Sequence, residues 1–138
     1  MGTERVVVFV CEHGSAKSVI AAAYFNKLAA ERGLAVRAVA RGTDPDEELG
    51  PKAVAGIAAD GLAPAEAAPR RYSAAEGAGA ARLVAFNPPG GELLPGAGAE
   101  GWDGVPPVGE DYGAARDAIV GRVVRLVEQL RAAGAAGG

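Results

Sequence analysis

The sequence predicts an α/β protein: a three-layer sandwich built on a four-stranded, mainly parallel sheet. Two observations carry that expectation. Val6-Val7-Val8-Phe9-Val10 is apolar at every position, as a central strand covered on both faces requires. Strand-like and helix-like stretches then alternate along the chain, which implies right-handed crossovers and helices on both sides of the sheet. At 138 residues the chain is expected to be one domain, residues 1–138, with no repeat and no linker.

The elements follow in order. After the first strand, about Lys17 to Arg32 places Ile20, Ala23, Tyr24 and Leu28 at helical spacing, and Gly33 supplies a stop. Leu34 to Arg41 alternates Leu34, Val36 and Ala38 against Ala35, Arg37 and Val39, the period of a strand. Thr43-Asp44-Pro45-Asp46 reads as a turn. Pro51 to Asp60 reads as a short helix with proline in its first turn and Gly61 at its end. Pro64 to Ala80 is polar and alanine-rich, and reads as a loop with no more than one helical turn. Arg82 to Phe86 is the third strand, Asn87 to Gly98 a glycine- and proline-rich loop, and a short fourth strand is expected near Trp102. From about Asp111 to Ala133, Ile119, Val123, Leu126, Val127 and Leu130 form a broad apolar stripe. Glu110 and Asp111 sit at its positive end and Arg131 near its negative end. Gly134 to Gly138 reads as a frayed tail.

Composition removes several function classes. No apolar stretch reaches the length a membrane-spanning helix needs. Met1-Gly2-Thr3-Glu4-Arg5 carries no signal-peptide pattern. A single cysteine cannot form an internal disulfide and fits a cytoplasmic location. The net charge of −3, without clustered lysine and arginine, argues against a nucleic-acid surface. One cysteine and one histidine cannot build a zinc site without several carboxylates, so neither metal nor cofactor is expected.

The chemistry points to one place. Cys11 is the first residue after the strand and stands just before a helix N-terminus, where backbone N–H groups and a helix dipole favour negative charge. A thiolate there is stabilised and nucleophilic. A free cysteine is more often a small buried hydrophobe, but the order strand–Cys–Gly–Ser–helix favours a reactive one. The loop Glu12, His13, Gly14, Ser15, Ala16, Lys17, Ser18 can curl so that successive amides converge on one anion. Gly14 permits positive φ where the loop reverses. Ser15 and Ser18 can donate hydroxyls to the thiolate or to an anion oxygen, and Lys17 adds a full positive charge. Glu12 is expected to point outward, leaving its N–H inside. His13, the only histidine, is expected either to tune the thiolate or touch substrate, or simply to be exposed.

The run Val8-Phe9-Val10-Cys11-Glu12-His13-Gly14-Ser15-Ala16-Lys17-Ser18 resembles the phosphate-binding loop of the low-molecular-weight protein tyrosine phosphatase superfamily, which includes thioredoxin-coupled arsenate reductases. The family motif is Cys, five residues, Arg, Ser. The resemblance extends to Arg41-Gly42-Thr43, Ala53 to Leu62, Arg82 to Phe86, Trp102-Asp103 and Arg116-Asp117-Ala118-Ile119. It implies that fold, and a Cys11 nucleophile with the loop and Lys17 as oxyanion binders and Ser18 as partner of the thiolate. The departures are specific. Lys17 replaces the family arginine, exchanging a planar fork for a point charge. Gly14 replaces an asparagine, keeping left-handed backbone tolerance but losing a side chain. The family's Asp-Pro general acid is missing before the last helix. Asp103, beside Trp102 and expected to be partly buried, is the substitute acid, ahead of Glu110 and Asp111; Asp111 is expected to cap the helix.

Three readings remain open. One is a phosphatase acting on phosphate monoesters. The second is an arsenate reductase whose adduct is resolved by an external thiol or a glutaredoxin-like partner, because the chain has no further cysteine. The third is a degenerate member that binds phosphate, arsenate or another tetrahedral oxyanion, or a phosphoprotein, without turnover.

Overall fold

The computed structural model describes residues 5–86 and 100–137. The elements are β1 (Arg5–Cys11), α1 (Lys17–Glu31), β2 (Val36–Gly42), α2 (Pro51–Ala59), α3 (Ala74–Gly79), β3 (Arg82–Ala85), β4 (Glu100–Gly101) and α4 (Tyr112–Gly137). The strands lie in the order β2-β1-β3-β4, and every neighbouring pair is parallel. The chain is therefore the expected α/β protein on a four-stranded parallel sheet. The expected loop Asn87 to Gly98 lies outside the described residues.

Alternation along β1 divides the interior. Val7 and Phe9 face the larger core with Val36, Ala38, Val84 and the buried sides of α1, α2 and α4. Val8 and Val10 face a smaller one with Val39, Leu83, Ala85 and Tyr72. The second face carries α3 and its flanking segments. Arg41 is buried there, its Nε donating to both Glu76 carboxylate oxygens at 3.0 and 2.9 Å and its guanidinium pairing with Glu66. Those two carboxylates compensate a charge that burial alone would make costly.

Glycine and proline end and start the helices. Gly33 stands at φ 64°, and Leu34 N–H reaches back to the Ala29 carbonyl at 2.8 Å. Leu34 is thus consumed in ending α1, and β2 begins at Val36, two residues later than the sequence pattern implied. Pro51 opens α2, and Gly61 follows it at φ 79°. The expected tail is not frayed as far as Gly137: α4 continues through Gly134-Ala135-Ala136, where alanine carries the highest helix propensity. Gly138 lies outside the described residues. No helix among the described residues is long and apolar enough to cross a membrane.

α4 is set against α2 by a close fit. The Tyr112 ring lies on Gly56, where an added Cβ would fall 2.1 Å from a ring carbon. The preceding segment is held by buried Val105 and Val108 and by Lys52, whose ammonium donates to the Gly109 carbonyl at 2.7 Å. It thereby faces the carboxyl end of β1.

Candidate active site

β1 is followed by a crossover to β2 on one side and neighbours β3 on the other, so its carboxyl end is the topological switch point where open α/β sheets collect ligands. Cys11 is its last residue, in register with Gly42. The loop of residues 12–16 leads directly into α1.

The loop sorts its donors from its acceptors. The carbonyls of Cys11, Glu12, His13 and Ser15 accept from the amides of Thr43 (3.3 Å), Asp44 (2.7 Å), Asp46 (3.0 Å) and Gly50 (2.8 Å). Those carbonyls are thereby committed to the segment after β2. The amides of Glu12 to Ala16 have no protein acceptor among the described residues. A run of unpaired N–H groups ending at a helix N-terminus is an anion-binding arrangement.

Gly14 makes the geometry possible. Its φ is +62°, and a Cβ there would lie 2.8 Å from Gly42 N and 3.0 Å from the Arg41 carbonyl carbon. Gly42 returns the constraint, since its own Cβ would meet Gly14 N at 2.8 Å. Tolerance of left-handed backbone is therefore only half of what the position demands; the other half is the absence of a side chain against β2.

Cys11 Sγ lies 3.0 Å from Ser18 Oγ, and Ser18 is wholly buried at the start of α1. The sulfur opens onto a cavity of about 310 Å³. Its walls are the loop residues Glu12, His13, Ser15 and Ala16, the Lys17 side chain, and Phe86, Val108 and Gly109 from the facing side. Burial pushes the Lys17 pKa down from 10.5, and the nearby Cys11 as thiolate partly restores it. The cavity thus joins a sulfur, a part-buried ammonium and a set of amides under an apolar wall.

At the rim stands a residue the sequence did not single out. Asp46 accepts from Ser15 Oγ at 2.9 Å through one oxygen and lies 3.3 Å from His13 Nδ1 through the other. Its contacts with the loop arise from the β1–β2 register, so no local signal announces them. Glu12 is exposed, as expected, with Oε2 3.8 Å from His13 Nε2. Phe86, expected to end the third strand, and Val108 carry nothing in their own sequence context that marks them as cavity wall.

The expected general acid is not at this cavity. Asp103 is exposed, and its carboxylate oxygens lie over Gly101, 4.0 Å from where a Cβ would stand. It borders a different cavity, between β4 and α4, with Arg122 and Arg125. The reason is extended-chain alternation. Trp102 turns into the core, where its ring lies 5.5 Å from Phe9 and 5.6 Å from Phe86, so Asp103 turns out. Asp111 caps α4, accepting from Ala114 N at 3.0 Å, and Glu110 is exposed.

A family model described as low molecular weight phosphotyrosine protein phosphatase matches residues 6–88, more than half of the chain. Among solved structures, a thioredoxin-dependent arsenate reductase from Corynebacterium glutamicum superposes with a TM-score of 0.76 at 20% identity, over 94% of this chain and 63% of that one. The present chain therefore spans less than two thirds of that protein. An arsenate reductase from Archaeoglobus fulgidus gives 0.67 at 25% identity, over 88% and 98%. A low molecular weight protein tyrosine phosphatase from T. tengcongensis gives 0.77 at 18% identity, over 91% and 99%. No curated protein matches in sequence.

Proposed function

The chain belongs to the low molecular weight phosphotyrosine protein phosphatase family, and on that premise we propose that it is a cysteine-dependent phosphatase acting on phosphate monoesters. The observation that carries this reading is the Cys11 sulfur, 3.0 Å from the Ser18 hydroxyl and open to a cavity lined by loop residues whose amides have no protein acceptor among the described residues. In the first step the Cys11 thiolate attacks phosphorus, an S–P bond forms, and the ester P–O bond breaks. The amides of residues 12–18 and the Lys17 ammonium take the equatorial oxygens, where charge builds up in the transition state. In the second step water attacks phosphorus, the S–P bond breaks, and the Ser18 hydroxyl donates to the departing sulfur. Lys17 supplies charge without the two-point match of a guanidinium, so equatorial oxygens are held less rigidly.

Hydrolysis of an aryl phosphate, lost in Cys11→Ser while inorganic phosphate still binds, is the expected result. A wild-type protein that binds phosphate and never turns over overturns the reading in favour of a non-catalytic oxyanion binder. A second reading, arsenate reduction, rests on the likeness to the two arsenate reductases. Cys11 is the sole cysteine, so an external small thiol or a glutaredoxin-like partner must resolve the arsenic adduct. Arsenate reduction that appears only when such a thiol is added, without phosphatase turnover, selects it.

A further inference from the structure

The rim of the Cys11 cavity holds an imidazole between two carboxylates. His13 Nδ1 lies 3.3 Å from Asp46 Oδ1 and 3.3 Å from the Asp44 carbonyl oxygen. Both neighbours are acceptors, which places the proton of the neutral ring on Nδ1. Nε2 is left for a bound group: its nearest described partner, Glu12 Oε2, is 3.8 Å away, beyond hydrogen-bond length. Asp46 is itself pinned. Its second oxygen holds the Ser15 hydroxyl at 2.9 Å, and its amide donates to the His13 carbonyl at 3.0 Å. An imidazole with one nitrogen bonded to a backbone carbonyl beside a carboxylate, on a residue that lines a nucleophile's cavity, is the arrangement of a positioned acid–base group. Asp103 lies at the other cavity, beside Gly101, and Asp111 caps α4.

We propose that His13 is the acid–base residue of this site and Asp46 its positioning residue, an inference that rests on the phosphatase reading. As the P–O bond breaks, its electron pair goes to the leaving oxygen, which takes the proton from Nε2 of the imidazolium. The neutral Nε2 then takes a proton from the attacking water, and the S–P electron pair returns to sulfur. The charged groups around the ring are Glu12 and Asp46 at the rim, with Cys11 at the end of β1 and Lys17 in the first turn of α1 lining the same cavity.

The test is the rate of hydrolysis of a series of aryl phosphates whose phenols range from acidic to weakly acidic. His13→Gln is expected to slow the poorest leaving group about 100-fold and the most acidic one by no more than about 3-fold, because only the former needs a proton in the transition state. Asp46→Asn keeps an acceptor for Ser15 and removes the charge beside Nδ1; it is expected to show the same pattern at about 10-fold. Inorganic phosphate is expected to bind both variants as it binds the wild type, which separates proton transfer from loop collapse. Equal loss across the series, or no loss, overturns the inference while leaving the phosphatase reading intact. A wild type that is inert, or a Cys11→Ser variant as active as it, overturns both.

Discussion

The two cavities at the carboxyl end and flank of the sheet differ in the way that matters for chemistry. The larger, about 430 Å³, lies between β4 and α4 and is bordered by Asp103, Arg122, Arg125 and Gln129. The smaller, about 310 Å³, opens at Cys11. The larger has more charge, and it is carried by side chains: Glu100, Asp103, Arg122 and Arg125. The smaller takes its polarity from main-chain amides and a helix end, whose positions the fold dictates. Fixed dipoles cost no rearrangement when charge develops, so they outweigh volume and a count of charged residues. The comparison teaches that, on the phosphatase reading, the site is the cavity whose polarity comes from the backbone, although it is the smaller.

Changes on the two sides should therefore separate cleanly. Cys11→Ser is expected to lower aryl phosphate turnover by about 10⁴-fold or more, read in a steady-state assay beside a phosphate titration. Glycine substitutions come next. Gly14→Ala combines a left-handed backbone with a Cβ 2.8 Å from Gly42 N, whereas Gly104→Ala, beside the larger cavity, has φ 78° and, among the described residues, no atom beyond its chain neighbours within 4 Å of the added Cβ. Thermal unfolding is expected to show a loss of about 3 kcal/mol for the first and about 1 kcal/mol for the second. Equal losses would mean that the approach of the loop to β2 is not constraining.

Lys17 gives a smaller, pH-dependent effect with opposite signs in binding and folding. Burial lowers its folded pKa below 10.5. Between that lowered value and 10.5 the unfolded chain holds more protons than the folded one, so this residue's contribution to stability rises with pH through the window. Phosphate affinity falls in the same window as the ammonium is lost, by about tenfold or more. Lys17→Arg is expected to flatten both trends, measured by phosphate titration and by denaturation at a series of alkaline pH values. The smallest effect belongs to the larger cavity: Asp103→Asn is expected to leave turnover within about 2-fold, as for an exposed residue away from the reacting atoms. A large loss there would return Asp103 to the mechanism.

Much of the fold was legible because its signals are local. The apolar run of β1, the stops at Gly33 and Gly61, and Pro51 at the head of α2 each act within a few residues. The Cys11–Ser18 loop was legible for the same reason, since strand, loop and helix N-terminus are contiguous. α3 was readable in principle: Ser73 accepts from Glu76 N at 3.2 Å, a Ser-x-x-Glu start inside the alanine-rich stretch expected to be a loop with at most one helical turn. Asp103 was misread because burial of Trp102 was carried over to its neighbour, when alternation sends the two in opposite directions. Asp46 was not legible at all. It meets Ser15 across 31 residues of sequence, and only the pairing of β1 with β2 brings them together.

The four carbonyl bonds from the loop to the segment after β2 have a thermodynamic consequence. They spend the ordering entropy of the loop when the chain folds, before any anion arrives. On the phosphatase reading, an oxyanion would meet a loop already ordered, and the free energy of contact would go into affinity instead of into arranging the host.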